Sequence, residues 1–120
     1  PRLKEIYEIC LEAQQKGVSQ IRTGMTGREA DAICRQVIES RGYGPQFGHS
    51  TGHGIGQEVH EGPTLSVKSD IVLQAGMVVT VEPGIYLPGV GGVRIEDDVL
   101  IKENGNEILT QSSKELLIID

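Results

Sequence analysis

Residues 77–101 read MVVTVEPGIYLPGVGGVRIEDDVLI. β-Branched residues, Gly and Pro crowd this stretch and no 3.6-residue period runs through it. The apolar run 77–81 ends at Glu82-Pro83-Gly84, and 84–87 and 93–101 predict further strands around a turn at 88–92. Beyond them, a turn at 103–106 leads to a strand at 107–109, and the tail 116–119 supplies an edge strand. Upstream the pattern is helical. Leu3, Ile6, Tyr7, Cys10 and Ala13 share one face of a helix over 2–16, with Gly17 as its stop. After a loop at 18–25, Thr26-Gly27-Arg28-Glu29 forms a capping-box pattern. Ala30, Ile33, Cys34, Val37 and Ile38 then mark a second helix that Gly42 ends. Two helices followed by an antiparallel sheet give the α+β class. Neither helix offers chemistry on its polar face.

The chain has 120 residues, enough for one hydrophobic core, and no internal repeat or linker divides it. With one Phe, three Tyr and no Trp, that core must be aliphatic. A formal net charge of −6 argues against a nucleic-acid or anionic-membrane surface as the main partner. No apolar run reaches membrane-spanning length, and no signal-peptide pattern opens the chain. Cys10 and Cys34 lie on the apolar stripes of the two helices, which predicts buried thiols in a reducing cytoplasm; the sequence leaves a disulfide open. The helical pattern starts directly after Pro1, as expected of a fragment or a processed chain.

A second stretch, FGHSTGHGIGQEVHEGP at 47–63, holds all three histidines, His49, His53 and His60. Gly48, Gly52, Gly54 and Gly56 stand among them. Imidazole is the commonest metal ligand and glycine permits close backbone approach, so this stretch reads as a site rather than a solvated loop. The carboxylates of 77–101 extend it. Glu82 closes an apolar strand. Strand alternation puts Arg94, Glu96 and Asp98 on one face, and Val93, Ile95 and Asp97 on the other. Thr80 and Glu82 share a face in the same way. Acids in so apolar a setting are costly to bury unless paired or bound to metal. Two readings stand side by side: a Glu82–Arg94 or Glu96–Arg94 ion pair, or metal ligation. Imidazole plus carboxylate suits Mn, Fe, Co or Zn, and a carboxylate-rich set suits two ions. The absence of thiolates from the set disfavours a structural zinc site.

The ordered motifs His53-Gly-Ile-Gly-Gln-Glu-Val-His60-Glu61-Gly62-Pro63, Val-Glu82-Pro-Gly-Ile-Tyr and Val-Arg94-Ile-Glu96-Asp97 resemble the pita-bread metallopeptidases. The likeness covers essentially the whole chain and is greatest to the Xaa-Pro aminopeptidase and prolidase branch. It implies the C-terminal half of a pita-bread fold, two helices packed on a curved antiparallel sheet. It also implies roles. His53 matches the metal-ligating histidine, Glu82 a metal-ligating glutamate that also shuttles the proton of the attacking water, and Glu96 the glutamate that bridges two divalent metals. His60 matches the histidine at the scissile amide, and His49 a further histidine near the substrate. Arg94 sits where the family places an arginine beside the bridging carboxylate.

One departure from the family pattern matters. The two remaining ligands of that family are aspartates on a strand pair ahead of the first helix, and Asp31, Asp70, Asp97 and Asp98 match neither. Residues 1–120 are therefore expected to be a partial catalytic domain with three of five ligands. Alone it should bind metal weakly, lack peptidase activity and expose apolar surface that favours a homodimer. The parent is expected to be a cytoplasmic enzyme, with manganese its most frequent metal and Co, Zn or Fe as alternatives. Its substrate would be a peptide with proline at the second position. A methionine aminopeptidase shares the ligand order, but His49 four residues before His53 and the VHEGP wording favour the proline branch. A non-catalytic pita-bread relative that binds peptides or partners is the other rival; such relatives usually lose the ligands, whereas all three expected here are present.

Overall fold

The computed structural model describes residues 2–55, 64–109 and 113–118. Helix α1 (Arg2–Gln20) buries Ile6, Ile9, Cys10 and Ala13, the stripe the sequence predicts. It does not stop at Gly17. A Cβ on Gly17 would lie 2.6 Å from Cys34 Sγ and 3.2 Å from Val81 Cγ1. This glycine therefore sits where α1 packs tightly against Cys34 and Val81, and packing offsets its poor helix propensity of about 1 kcal/mol. Helix α2 (Gly27–Ser40) opens with the expected capping box. Thr26 Oγ1 accepts from the Glu29 N–H at 3.1 Å, and Glu29 Oε1 accepts from the Thr26 N–H at 2.9 Å. Gly42, at φ 87°, turns the chain out of α2, and the Tyr43 N–H reaches back to the Ile38 carbonyl at 3.1 Å.

Among the described residues seven strands form one antiparallel sheet. They are β1 (Gly52–Ile55), β2 (Thr64–Leu65), β3 (Val78–Val81), β4 (Gly84–Leu87), β5 (Gly91–Lys102), β6 (Gly105–Ile108) and β7 (Ser113–Ile118). The twelve-residue β5 is the axis. Along one edge it pairs with β3 and then β4, and along the other with β6 and β7. β1 joins β3, and β2 closes the far edge. Strands β1 and β2 were not expected, because the glycine-rich sequence around them carries no alternation. β6 starts at Gly105 rather than 107: the turn is only Glu103-Asn104, and Gly105 at φ 146° re-enters the ladder at once. The tail strand runs over 113–118 and pairs with six consecutive residues of β5, a longer and earlier contact than an edge at 116–119.

Alternation along β5 is complete from Val93 to Ile101, odd positions buried and even ones half-buried. The odd face, with Val79 and Val81 of β3 and Ile85 of β4, packs beneath the helices as an aliphatic core. Asp97 lies on this inner face at 2 % exposure, where the Gln14 side-chain amide donates to its carboxylate. Among the described residues no helix is long and apolar enough to cross a membrane.

Cys10 and Cys34 are free and fully buried between helices and sheet. Burial pushes each thiol up from its ordinary 9.0 to about 12, aided at Cys34 by the nearby Asp31 carboxylate. Neither thiol should react with a soluble disulfide reagent until the chain unfolds, which absorbance of the released thiolate checks. The same shift fixes a stability trend. The folded chain keeps both protons where the unfolded chain releases them, so this stabilisation is intact below about pH 9. It should fall as pH rises toward 12, by on the order of 1 kcal/mol per thiol for each pH unit. Urea denaturation across that range measures it.

Candidate metal centre

The outer face of the sheet collects the even positions. Thr80 pairs with Asp98 and Val81 with Asp97 on β3, and Gly84 pairs with Arg94 on β4. One register runs through both strands across the break at Glu82-Pro83. Pro83 cannot donate, but its carbonyl accepts from the Ile95 N–H at 3.3 Å and keeps β5 in step. Glu82 is thereby placed across from Glu96. Two carboxylates directly opposite on neighbouring strands repel each other unless positive groups offset their charge.

His53 arrives on the same face from β1. Its N–H donates to Thr80 Oγ1 at 3.0 Å, and its ring Nε2 lies 3.5 Å from Glu82 Oε2. Ring Nδ1 is 3.0 Å from the Gly54 carbonyl. A carbonyl only accepts, so Nδ1 carries the hydrogen and Nε2 is the ring atom turned toward the carboxylate. The 3.5 Å spacing serves an ion pair when the ring is protonated, and it equally leaves room for shared ligation, because ligand bonds of about 2.0–2.2 Å to one ion place neighbouring donors about 3–3.5 Å apart. The Nδ1–H···O=C bond is the orienting contact that metal-bound histidines ordinarily make. Glu82 is 14 % exposed while His53 is 48 % exposed, so the pair lies at the mouth of the sheet face. Among the described residues, no three His, Cys, Asp or Glu side chains close into a complete metal-holding group.

His49 lies beside this pair, not within it. Its Nδ1 is 2.7 Å from the Ser50 carbonyl and its Nε2 is 2.9 Å from Tyr86 Oη. Nδ1 therefore carries the hydrogen, and in the neutral ring the tyrosine hydroxyl donates to Nε2. A Cβ on Gly84 would come within 2.8 Å of Tyr86 Oη and 3.1 Å of His49 Nε2, so Gly84 leaves the room that this pair occupies, one outward position along from Glu82. Arg94, two residues from Glu96 on the same face and across from Gly84, is half-buried. His60 lies outside the described residues.

Sequence reasoning passed over two parts of this arrangement. Tyr86 shares the parity of Glu82 and Gly84, a signal that was available. The other part is Asp31 with Arg35 on α2, whose polar face was expected to be inert. Arg35 instead donates to the His49 carbonyl at 3.0 Å, and Asp31 accepts from the Thr51 hydroxyl at 2.8 Å.

Comparison with known proteins agrees with this fold. The chain is 62 % identical over 118 residues to the uncharacterized peptidase YqhT of Bacillus subtilis, covering 98 % of this chain and 33 % of that protein. It is 55 % identical over 114 residues to the Xaa-Pro dipeptidase of Pyrococcus furiosus, covering 95 % of this chain and 33 % of that one. Among solved structures it matches an Xaa-Pro dipeptidase from Bacillus anthracis with a TM-score of 0.90 and 63 % identity, over 98 % of this chain and 33 % of the other. The chain thus spans about a third of the length of the curated relatives it matches. The expected architecture, two helices on an open antiparallel sheet of the pita-bread type, is the one these structures share. With the family's model matched over residues 1–103, the chain belongs to metallopeptidase family M24.

Proposed function

We propose that these residues form the C-terminal part of the catalytic domain of a metal-dependent peptidase that cleaves an N-terminal residue from a following proline. One observation carries the reading. His53 Nε2 stands 3.5 Å from Glu82 Oε2 while Glu82 lies in register across from Glu96, an imidazole–carboxylate set that suits divalent cations. The proline preference draws on the names of relatives such as the Xaa-Pro dipeptidases of two Pyrococcus species. His53, Glu82 and Glu96 are assigned as metal ligands, and the two aspartates that complete the set are sought in what the gene encodes ahead of Pro1. When bound, divalent ions would polarise the peptide carbonyl and lower the pKa of water. Manganese is the assigned ion, with cobalt, zinc and iron as alternatives that the same donors accept.

Around that chemistry the side chains divide the remaining tasks. Glu82 takes the proton from the attacking water and passes it to the leaving nitrogen. Tyr86 and the Ser50 carbonyl hold His49 in one tautomer, ready to orient the substrate. His60 is assigned to the scissile amide, and Arg94 balances the charge of the carboxylates. The two free thiols fit a reducing cytoplasm. Half-exposed Val67, Ile71 and Val72 offer a surface for a second copy.

The test uses the protein at the full length its gene encodes, stripped with chelator. Restored manganese should give hydrolysis of Ala-Pro or Met-Pro well above that of Ala-Ala, abolished again by chelation. Failure to cleave either proline peptide with metal demonstrably bound would overturn the reading. Residues 1–120 alone should bind manganese weakly and remain inactive.

A further inference from the structure

The pair Asp31–Arg35 is unlike an ordinary i,i+4 surface ion pair. Asp31 is 1 % exposed, and its carboxylate accepts from Arg35 Nε at 2.7 Å and Nη2 at 3.1 Å. It also accepts from the Thr51 N–H at 3.2 Å and the Thr51 hydroxyl at 2.8 Å. The guanidinium then extends beyond its partner. Nη2 donates to the His49 carbonyl at 3.0 Å and Nη1 to the Phe47 carbonyl at 3.4 Å. The guanidinium carbon lies 4.2 Å from the centre of the Phe47 ring, whose edge meets His49 at a centroid distance of 5.1 Å. The chain of contacts continues from Thr51, whose carbonyl accepts from the Glu82 N–H at 2.6 Å. One helical pair thus fastens residues 47, 49 and 51, and through them reaches Glu82.

We propose that Asp31 and Arg35 are positioning residues for the site, setting the path of segment 47–51 so that His49 stands against Tyr86 beside Glu82. The proposal rests on the peptidase reading for its catalytic consequence, but its geometric consequence stands apart from it. A flat fork of donors suits the task because three separate nitrogens serve a carboxylate and two carbonyls at once, whereas a lysine ammonium holds all its donors on one atom. The direct hydrogen bonds of His53 go instead to Thr80 and Gly54, neither of which touches the pair.

Two variants of the full-length protein separate positioning from stability. Arg35→Lys keeps the charge beside Asp31 but loses the fork. The double variant Asp31→Asn with Arg35→Met removes both charges together, so that neither is left buried alone, and keeps an acceptor for Thr51. Both are expected to melt cooperatively. In metal-free protein, above the imidazole titration range, the ring nitrogen resonances of His49 should shift in both variants while those of His53 stay in place. With manganese and Ala-Pro, kcat should fall about tenfold with KM changed far less. Unshifted His49 resonances overturn the proposal, as does a shift that leaves kcat at the wild-type value. Should the wild type cleave no Xaa-Pro peptide, the peptidase reading fails, and the resonances alone decide whether the pair positions His49.

Discussion

Glu82→Gln in the full-length protein is expected to lower kcat about a thousand-fold, within the range of a removed general acid–base group. The same change removes one anionic donor facing His53, whose Nε2 is 3.5 Å from Glu82 Oε2. The rise in melting temperature that manganese gives the wild type should therefore largely vanish. Calorimetric titration, thermal melting and steady-state kinetics on one preparation test both effects. A variant with wild-type manganese affinity would remove Glu82 from the ligand set.

Gly52→Ala should be the most damaging single methyl addition described here. Its Cβ would lie 1.8 Å from the Thr80 carbonyl oxygen and 2.6 Å from the carbonyl carbon. Both are backbone atoms that no rotamer change can move aside. β1 would have to separate from β3, breaking the Gly54↔Val79 pairing and the bond from the His53 N–H to Thr80 Oγ1. A loss of about 3 kcal/mol or more is expected, at the upper end for overpacking, and His53 would lose its place even in chains that stay folded. Gly48→Ala is the control, because a Cβ there meets nothing within 4 Å. It should stay within about 0.5 kcal/mol of wild type. Urea denaturation of both variants, read with manganese affinity, tests the contrast. Equal stability of the two would mean that β1 is not fixed by this approach.

Some of the fold is a local property of the sequence and can be read there. Alternation along residues 93–101 places Glu96 and Asp98 outward and Asp97 inward, because successive side chains of a strand point to opposite faces whatever lies around them. The Thr26–Glu29 box and Gly42 bound α2 for equally local reasons. The cysteines sit on apolar stripes, and both prove buried. Elsewhere local rules mislead. Gly17 has the propensity of a helix stop but lies within α1, since its missing side chain admits Cys34. Residues 52–55 show no alternation because two of the four are glycines, yet they pair with β2 on one side and β3 on the other. Their strand character comes from the partners and the close approach at Gly52.

The sequence by itself determined the α+β class and the outward face of Glu96 and Asp98, because each follows from spacing within one element. Only the tertiary structure decided how these side chains are arranged. It brought Glu82 into register with Glu96 across the Pro83 break, turned Nε2 of His53 toward Glu82, and stood His49 against Tyr86 in the space left by Gly84. It also drew Asp31 and Arg35 from a helix that looked inert into contact with the backbone of residues 47–51. Those contacts join residues far apart in the chain at hydrogen-bond distances, and no periodicity within a single element encodes a distance between two of them.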